Sequence, residues 1–181
     1  MQLIILALSG VSVVSASVQY KTVLKAMGAL PDPVSGKSRA IKVDITVNPD
    51  TSLDVRMIIP VRSFKSGNTT RDREVAKILG YPRHKFIFFT ARIPSDVVKK
   101  ALESESGEVE VDGVLKVKGK AKKYSWKVKY EWISDSRLKL STGRHVKFTD
   151  FGIKPPSLFG FVKKAPDDVE AEGVLTLEVE R

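Results

Sequence analysis

The side chains that could do chemistry fall in a few places. Glu108, Glu110 and Asp112 put three carboxylates within five residues, and paired carboxylates can do acid–base work. His84 and His145 are the only histidines, far apart and in no ligand-spaced motif. The stretch PVRSFKSGNTTRDREV, residues 60–75, joins a glycine and an asparagine to a run of charges. It could be a phosphate loop, a catalytic loop, a glycosylation site through Asn68-Thr69-Thr70, or a strand-to-helix corner. A set of aromatics, Phe86, Phe88, Tyr124, Trp126, Tyr130 and Trp132, stands further on. There is no cysteine, which removes disulfides, thiol nucleophiles and thiolate metal sites.

Most of these lose their catalytic reading on spacing. The three carboxylates alternate with Val109 and Val111 and answer the lysines of the following segment, which is the pattern of cross-strand ion pairing. His145 sits among basic neighbours as a surface or rim residue. Residues 60–75 lack the glycine and lysine spacing of a phosphate loop. Gly67 and Asn68 suit a turn, Thr69 and Asp72 have capping-box spacing, and Arg71 with Asp72 could pin a helix to its support by an ion pair. No nucleophile elbow, zinc-protease helix or dinucleotide fingerprint is present. No enzyme and no cofactor is expected. The aromatics alternate with lysines, so the two sets point to opposite faces. A nucleic-acid platform needs them on the same face, and no nucleic-acid partner is expected. The aromatics then line either a packed core or an apolar tunnel.

The elements that must position them are mostly strands. Residues 41–47 alternate, as do residues 53–61, which end at Pro60 because proline cannot donate to a ladder. Thr70–Leu79 carries a short helical stripe, stopped by Gly80 and Pro82. KFIFFTARI is apolar on both faces and reads as a strand covered on both sides. Ser95 caps a second helical turn. Residues 107–118 and 123–132 alternate and form a hairpin across Gly119–Lys123. Leu138 and Leu140, then residues 144–148, then Gly173, Leu175, Leu177 and Val179 complete the count. About eight antiparallel strands with short helices predict an all-β barrel, which removes exposed edges. A sandwich is the second choice. Eight strands enclose side chains or one small ligand.

The first sixteen residues carry no charge, with Val14 and Ala16 at the −3 and −1 positions of a cleavage site. Residues 1–16 read as a signal peptide and 17–181 as a single barrel domain. The other readings of that segment are an uncleaved anchor and a first strand of the domain. The net charge of +10 allows peripheral contact with an anionic membrane. A second function therefore stays open: a basic surface-binding module with a solid barrel, attached to anionic headgroups or an acidic partner. A dimer through an exposed apolar strand face is compatible with the pattern.

IPVRSFKSGNTTRDREV, then YPRHKFIF, then GVLKVKG, then TDFGI, in this order and spacing, resembles the YceI-like family of lipocalin-like polyisoprenoid-binding proteins of the bacterial periplasm. Ser63, Phe64, Ser66, Gly67, Asn68, Arg71 and Asp72 carry its most specific block. The chain departs from the pattern at GKAKKYS, residues 119–125, and at KFTDFG, residues 147–152. The resemblance implies an eight-stranded lipocalin-like barrel with one or two short helices. It also implies noncovalent carriage of a polyisoprenoid or quinone-like lipid, with periplasmic location. The inward residues expected to hold that lipid are Val55, Met57, Ile59, Phe86, Phe88, Leu115, Val117, Trp126, Val128 and Tyr130, with Phe64 at the cavity wall.

Overall fold

The structure, a computed structural model, describes residues 10–26, 30–158 and 163–180. Strand β1 is Gly10–Leu24, β2 Asp32–Ser38, β3 Lys42–Val47 and β4 Leu53–Pro60. A 3-10 turn, Val61–Ser63, leads into helix α1, Thr69–Ile78. Then come β5 Phe86–Ile93, α2 Ser95–Leu102, β6 Ser106–Val117, β7 Lys120–Trp132 and β8 Arg137–Lys147. A second 3-10 turn, Thr149–Phe151, and a short pair, β9 Ser157–Leu158 with β10 Lys163–Lys164, precede β11, Asp168–Glu180.

Nine of these strands form one antiparallel sheet in the order β2-β1-β11-β8-β7-β6-β5-β4-β3. It curls into a half-barrel around an apolar interior. The expected count of eight differs for two reasons. Residues 137–147 are one strand, not two, and the N-terminal segment supplies β1 and β2. The expected loss of every edge is not met either, because β2 and β3 end the sheet without pairing to each other. Only residues 39–41 connect them. The β2 side is covered: the backbones of Lys37 and Lys65 exchange hydrogen bonds of 2.9 Å in both directions.

The domain begins before Ser17. Gly10 to Ala16 pair with β11 from Glu180 to Leu175, so the boundary expected after Ala16 falls inside β1. The segment hid its nature because neither face carries a charge. A bulge between Val13 and Ser15 also shifts the alternation by one residue. Residues 1–9 lie outside the described residues.

The turns follow local chemistry. The β6–β7 hairpin closes on Lys118 and Gly119, with φ of 51° and 79°, and pairs Val117 with Lys120. Two successive positive φ values match the twist of a tight hairpin, so the turn is shorter than residues 119–123. Helix α1 starts one residue before the expected Thr70, because Asn68, not Thr69, is its cap. The Asn68 side-chain oxygen accepts from the Arg71 backbone N–H at 3.0 Å. Asp72 makes no ion pair with Arg71 to hold the helix to the barrel. Its Oδ1 instead accepts from the Ser66 backbone N–H (2.9 Å) and hydroxyl (2.7 Å), closing the loop on itself. At α2 the cap position is Pro94, and Ser95 is the first helical residue.

Two of three buried clusters among the described residues line the two ends of the interior. One gathers Ile59, Val61, Phe64, Ile87, Val117, Tyr124, Trp126, Val146, Phe151 and Ile153, with Ile78 of α1 and its C-cap Leu79 against it. The other gathers Tyr130, Leu138, Leu175, Leu177 and Val179, with Ala101 and Leu102 of α2 against it. Each helix therefore sits over one end of the barrel.

Candidate functional site

Among the described residues an apolar cavity of about 400 Å³ runs between the two ends, within the size range of small-molecule sites. Val109, Val111, Leu115 and Val117 of β6 all line it. That is nine residues of strand and eight steps, about 26 Å at ~3.3 Å per step, close to the ~30 Å apolar thickness of a bilayer. The wall is almost wholly hydrocarbon, drawn from β1, β4, β5, β6, β7, β8 and β11.

Alternation explains the wall. In β4 the residues Leu53, Val55, Met57 and Ile59 face in while Asp54 and Arg56 face out. In β6 and β7 the outward carboxylates meet outward cations: Glu108 stands opposite Lys129 and Glu110 opposite Lys127. Asp112 pairs with Lys123 Nζ at 2.7 Å, and this bond holds its carboxyl below the usual range. His145 is exposed and bonds Asp168 at 2.8 Å. Among the described residues no group of three metal-ligating side chains gathers. No described helix is long and apolar enough to cross a membrane.

Of the residues expected to line the interior, Val55, Met57, Ile59, Phe64, Leu115, Val117, Trp126, Val128 and Tyr130 do so. Phe86 and Phe88 do not. The register pairs Ile59 with Ile87 and Met57 with Phe89, so Ile87, Phe89, Ala91 and Ile93 face in. Phe86 and Phe88 lie tilted against each other on the outer face, ring centroids 6.2 Å apart, with Phe86 43% exposed. That face is not covered. With apolar residues on both faces, parity in β5 could be set only by its partner strand. Other wall residues missed by the sequence reading are Val18, Tyr20 and Thr22 of β1, Ile78 of α1 with its C-cap Leu79, and Val98 and Leu102 of α2. The alternation of Leu175, Leu177 and Val179 already marked β11.

The two ends differ in polarity. Val97, Val98, Ala101 and Leu102 of α2 close one end with hydrocarbon. Trp132 Nε1–H donates to the Ala101 carbonyl (2.8 Å), and Ser104 bonds Tyr130 (2.6 Å), so α2 is fastened to β7. The charged wall residues Arg71 and Glu74 lie on α1, and Lys147 ends β8 at the same end. Glu172, in β11, is bonded by Lys21 Nζ at 2.5 Å. We take the α1 end as the mouth. Tyr20 stands there, tilted against Phe64 with centroids 5.6 Å apart. Burial pushes its hydroxyl up to about 12, with Asp72 adding to the effect and Arg71 opposing it, so it stays protonated. Beside the mouth, Tyr124 donates to Asp150 Oδ2 at 2.6 Å while Lys122 lies 3.4 Å from Oδ1. These partners hold the Asp150 carboxyl below its usual range, and the Tyr124 hydroxyl, buried and bonded to it, is pushed up. The Arg144 guanidinium lies 4.8 Å over the Tyr124 ring and donates to the Ser125 carbonyl.

The YceI-like domain model matches residues 11–180. The chain belongs to the YceI-like family. No curated protein sequence matches it. Among solved structures, a polyisoprenoid-binding domain from Saccharophagus degradans implicated in plant cell wall breakdown is similar, with TM-score 0.73 and 12% identity over 96% of this chain and 100% of that one. Burkholderia cenocepacia BcnA gives 0.66 and 17% identity over 89% and 95%. A Campylobacter jejuni YceI protein gives 0.57 and 14% identity over 87% and 91%. At such identities the likeness concerns the fold.

Within this YceI-like domain the block at residues 63–72 is a corner built by hydrogen bonds. Ser63 donates to the Pro60 carbonyl and bonds Ser38, which is 1% exposed, tying β2 to the turn after β4 (2.6 Å each). Phe64 enters the cavity, Gly67 takes φ of 80° in open space, and Asn68 caps α1. Arg71 reaches the mouth. The block therefore builds one edge of the cavity opening.

Proposed function

We propose that this YceI-like domain binds and carries a long apolar amphiphile, of polyisoprenoid or quinone-like type, without covalent chemistry. The observation that supports the reading most is the continuous hydrocarbon wall between α2 and α1, with charged side chains gathered near the mouth. Such a wall suits a chain, not a polar substrate. Each methylene moved from water into it contributes ~0.8 kcal/mol, so a long tail needs few polar contacts. The terminal polar group then stays at the α1 end, near Arg71, Glu74 and Tyr20. The reading of a solid barrel is not carried forward, since the interior is hollow.

Solvent extraction of protein purified from its native host, followed by mass spectrometry, tests the proposal. A stoichiometric amphiphile with a long unbranched or prenyl tail supports it. Protein free of amphiphile that also takes up no polyprenyl alcohol when offered one overturns it. A periplasmic site of action belongs to the same proposal, and cell fractionation tests it. Recovery of the protein only with the cytosol contradicts it.

A further inference from the structure

The outer face of β3–β6 at the mouth end carries a stripe that the cavity does not use. Across the sheet the register sets Lys42, Ile58, Phe88 and Lys116 in one row, an apolar pair flanked by lysines. Phe86 stands beside Phe88, and Val114, 38% exposed, lies on the same outward face. Water-facing aromatics beside the charged outer faces of β4 and β6 are informative, because folding does not require them there.

Charge is sorted along the barrel in the same sense. Pro60 pairs with Phe86, Phe88 with Lys116 and Val117 with Lys120, so residues 61–85 and 116–123 lie at one end. His84 packs over Gly119 and joins these two segments. Residues 61–85 hold seven Lys or Arg against two acids, and residues 116–123 hold five Lys, of which Lys122 and Lys123 are paired with Asp150 and Asp112. At the other end, residues 94–105 hold two Lys against three acids, while 48–52 and 133–136 each hold one acid and no base. A molecule charged this way turns one end toward a negative surface.

We propose that the mouth end docks on an anionic bilayer, with Phe86 and Phe88 entering the headgroup layer and Lys85, Lys116, Lys118 and Lys120 meeting lipid phosphates. The pairing of exposed aromatics with surrounding cations fits that layer, where amphipathic contacts and anionic headgroups coexist. An acidic soluble protein would use the cations but leave the phenylalanines in water. The inference rests on the carrier reading for its purpose: it sets the cavity opening beside the membrane from which a lipid is drawn. It does not depend on that reading for its physics.

The test is co-sedimentation with vesicles of phosphatidylcholine alone and with 30% phosphatidylglycerol, across a salt series. The full chain is expected to bind only the anionic vesicles and to lose that binding as salt rises. Lys85→Glu with Lys116→Glu is expected to weaken binding by about thirtyfold or more, and Phe86→Ser to weaken it severalfold. The same charge change at the other end, Lys99→Glu with Lys139→Glu, is expected to leave it within about twofold. Equal loss for the two charge pairs, or no anionic binding by the parent, overturns the proposal. So does a change of oligomeric state on Lys85→Glu with Lys116→Glu in vesicle-free light scattering, which would assign the face to a second copy. Uptake of cis-parinaric acid without vesicles is measured for every variant. None of these residues lines the cavity, so uptake should be unchanged. Failed uptake with intact vesicle binding sinks the carrier reading alone, and the converse sinks docking alone.

Discussion

The two short helices do opposite work at the two ends of one barrel. Helix α2 presents only Val97, Val98, Ala101 and Leu102 to the cavity and is fastened to β7 through Trp132 and Tyr130. Helix α1 presents Ile78, with its C-cap Leu79, beside Arg71 and Glu74, and its polar bonds are spent on its own entry loop. The first is a plug. The second is one side of an opening. Similar lengths of helix differ in role because of where the hydrogen bonds go.

The comparison can be broken most severely at the plugged end. A chain starting at Ser17 lacks Gly10–Ala16, which pair with β11 and pack Val11 and Ala16 against the Leu175, Leu177 and Val179 cluster. Lost burial and ladder bonds should cost about 3–5 kcal/mol, read as a lower urea midpoint. Unchanged stability would mean that β1 does not belong to the barrel wall below Ser17. Next in size, Leu177→Ala, in a side chain 4% exposed, should cost about 3 kcal/mol, against about 1 kcal/mol for the half-buried Ile78→Ala at the mouth. Equal costs would erase the distinction between plug and opening.

The smallest effect concerns pH. The Asp150 carboxyl lies below its ordinary value because Tyr124 and Lys122 favour its charged form. A carboxylate of this kind contributes stability that is present above its unfolded value and lost as pH falls through the folded one. Asp150→Asn should therefore flatten the acid limb of the stability curve and leave the neutral region nearly level. Melting temperatures from pH 7 down to pH 3 check this. A curve parallel to that of the parent would remove Asp150 from the account.

What was legible in the sequence follows the same physics. β4, β6 and β7 carry charges on one face, so their inward residues could be named in advance, and Val55, Met57, Leu115, Val117, Trp126 and Val128 all reach the cavity. β5 is apolar on both faces, and only its pairing with β4 decides that Phe89 faces in and Phe88 out. β1 has few charges and a bulge, so local pattern did not mark it as a strand. The fastening of α2 joins residues such as Ala101 and Trp132, far apart in the chain, which no local pattern encodes. The corner at residues 63–72 was readable as a corner, but its Asn68 cap and the Ser66–Asp72 closure needed coordinates.

The central claim is that the interior holds one apolar chain along the barrel. Native mass spectrometry of the protein titrated with a long polyprenyl alcohol tests it most directly, beside Val128→Trp, which should fill the middle of the cavity, with circular dichroism to show that the variant folds. The account predicts one alcohol per parent chain and none on the folded variant. Equal loading of the two proteins, or no loading of the parent, would contradict it.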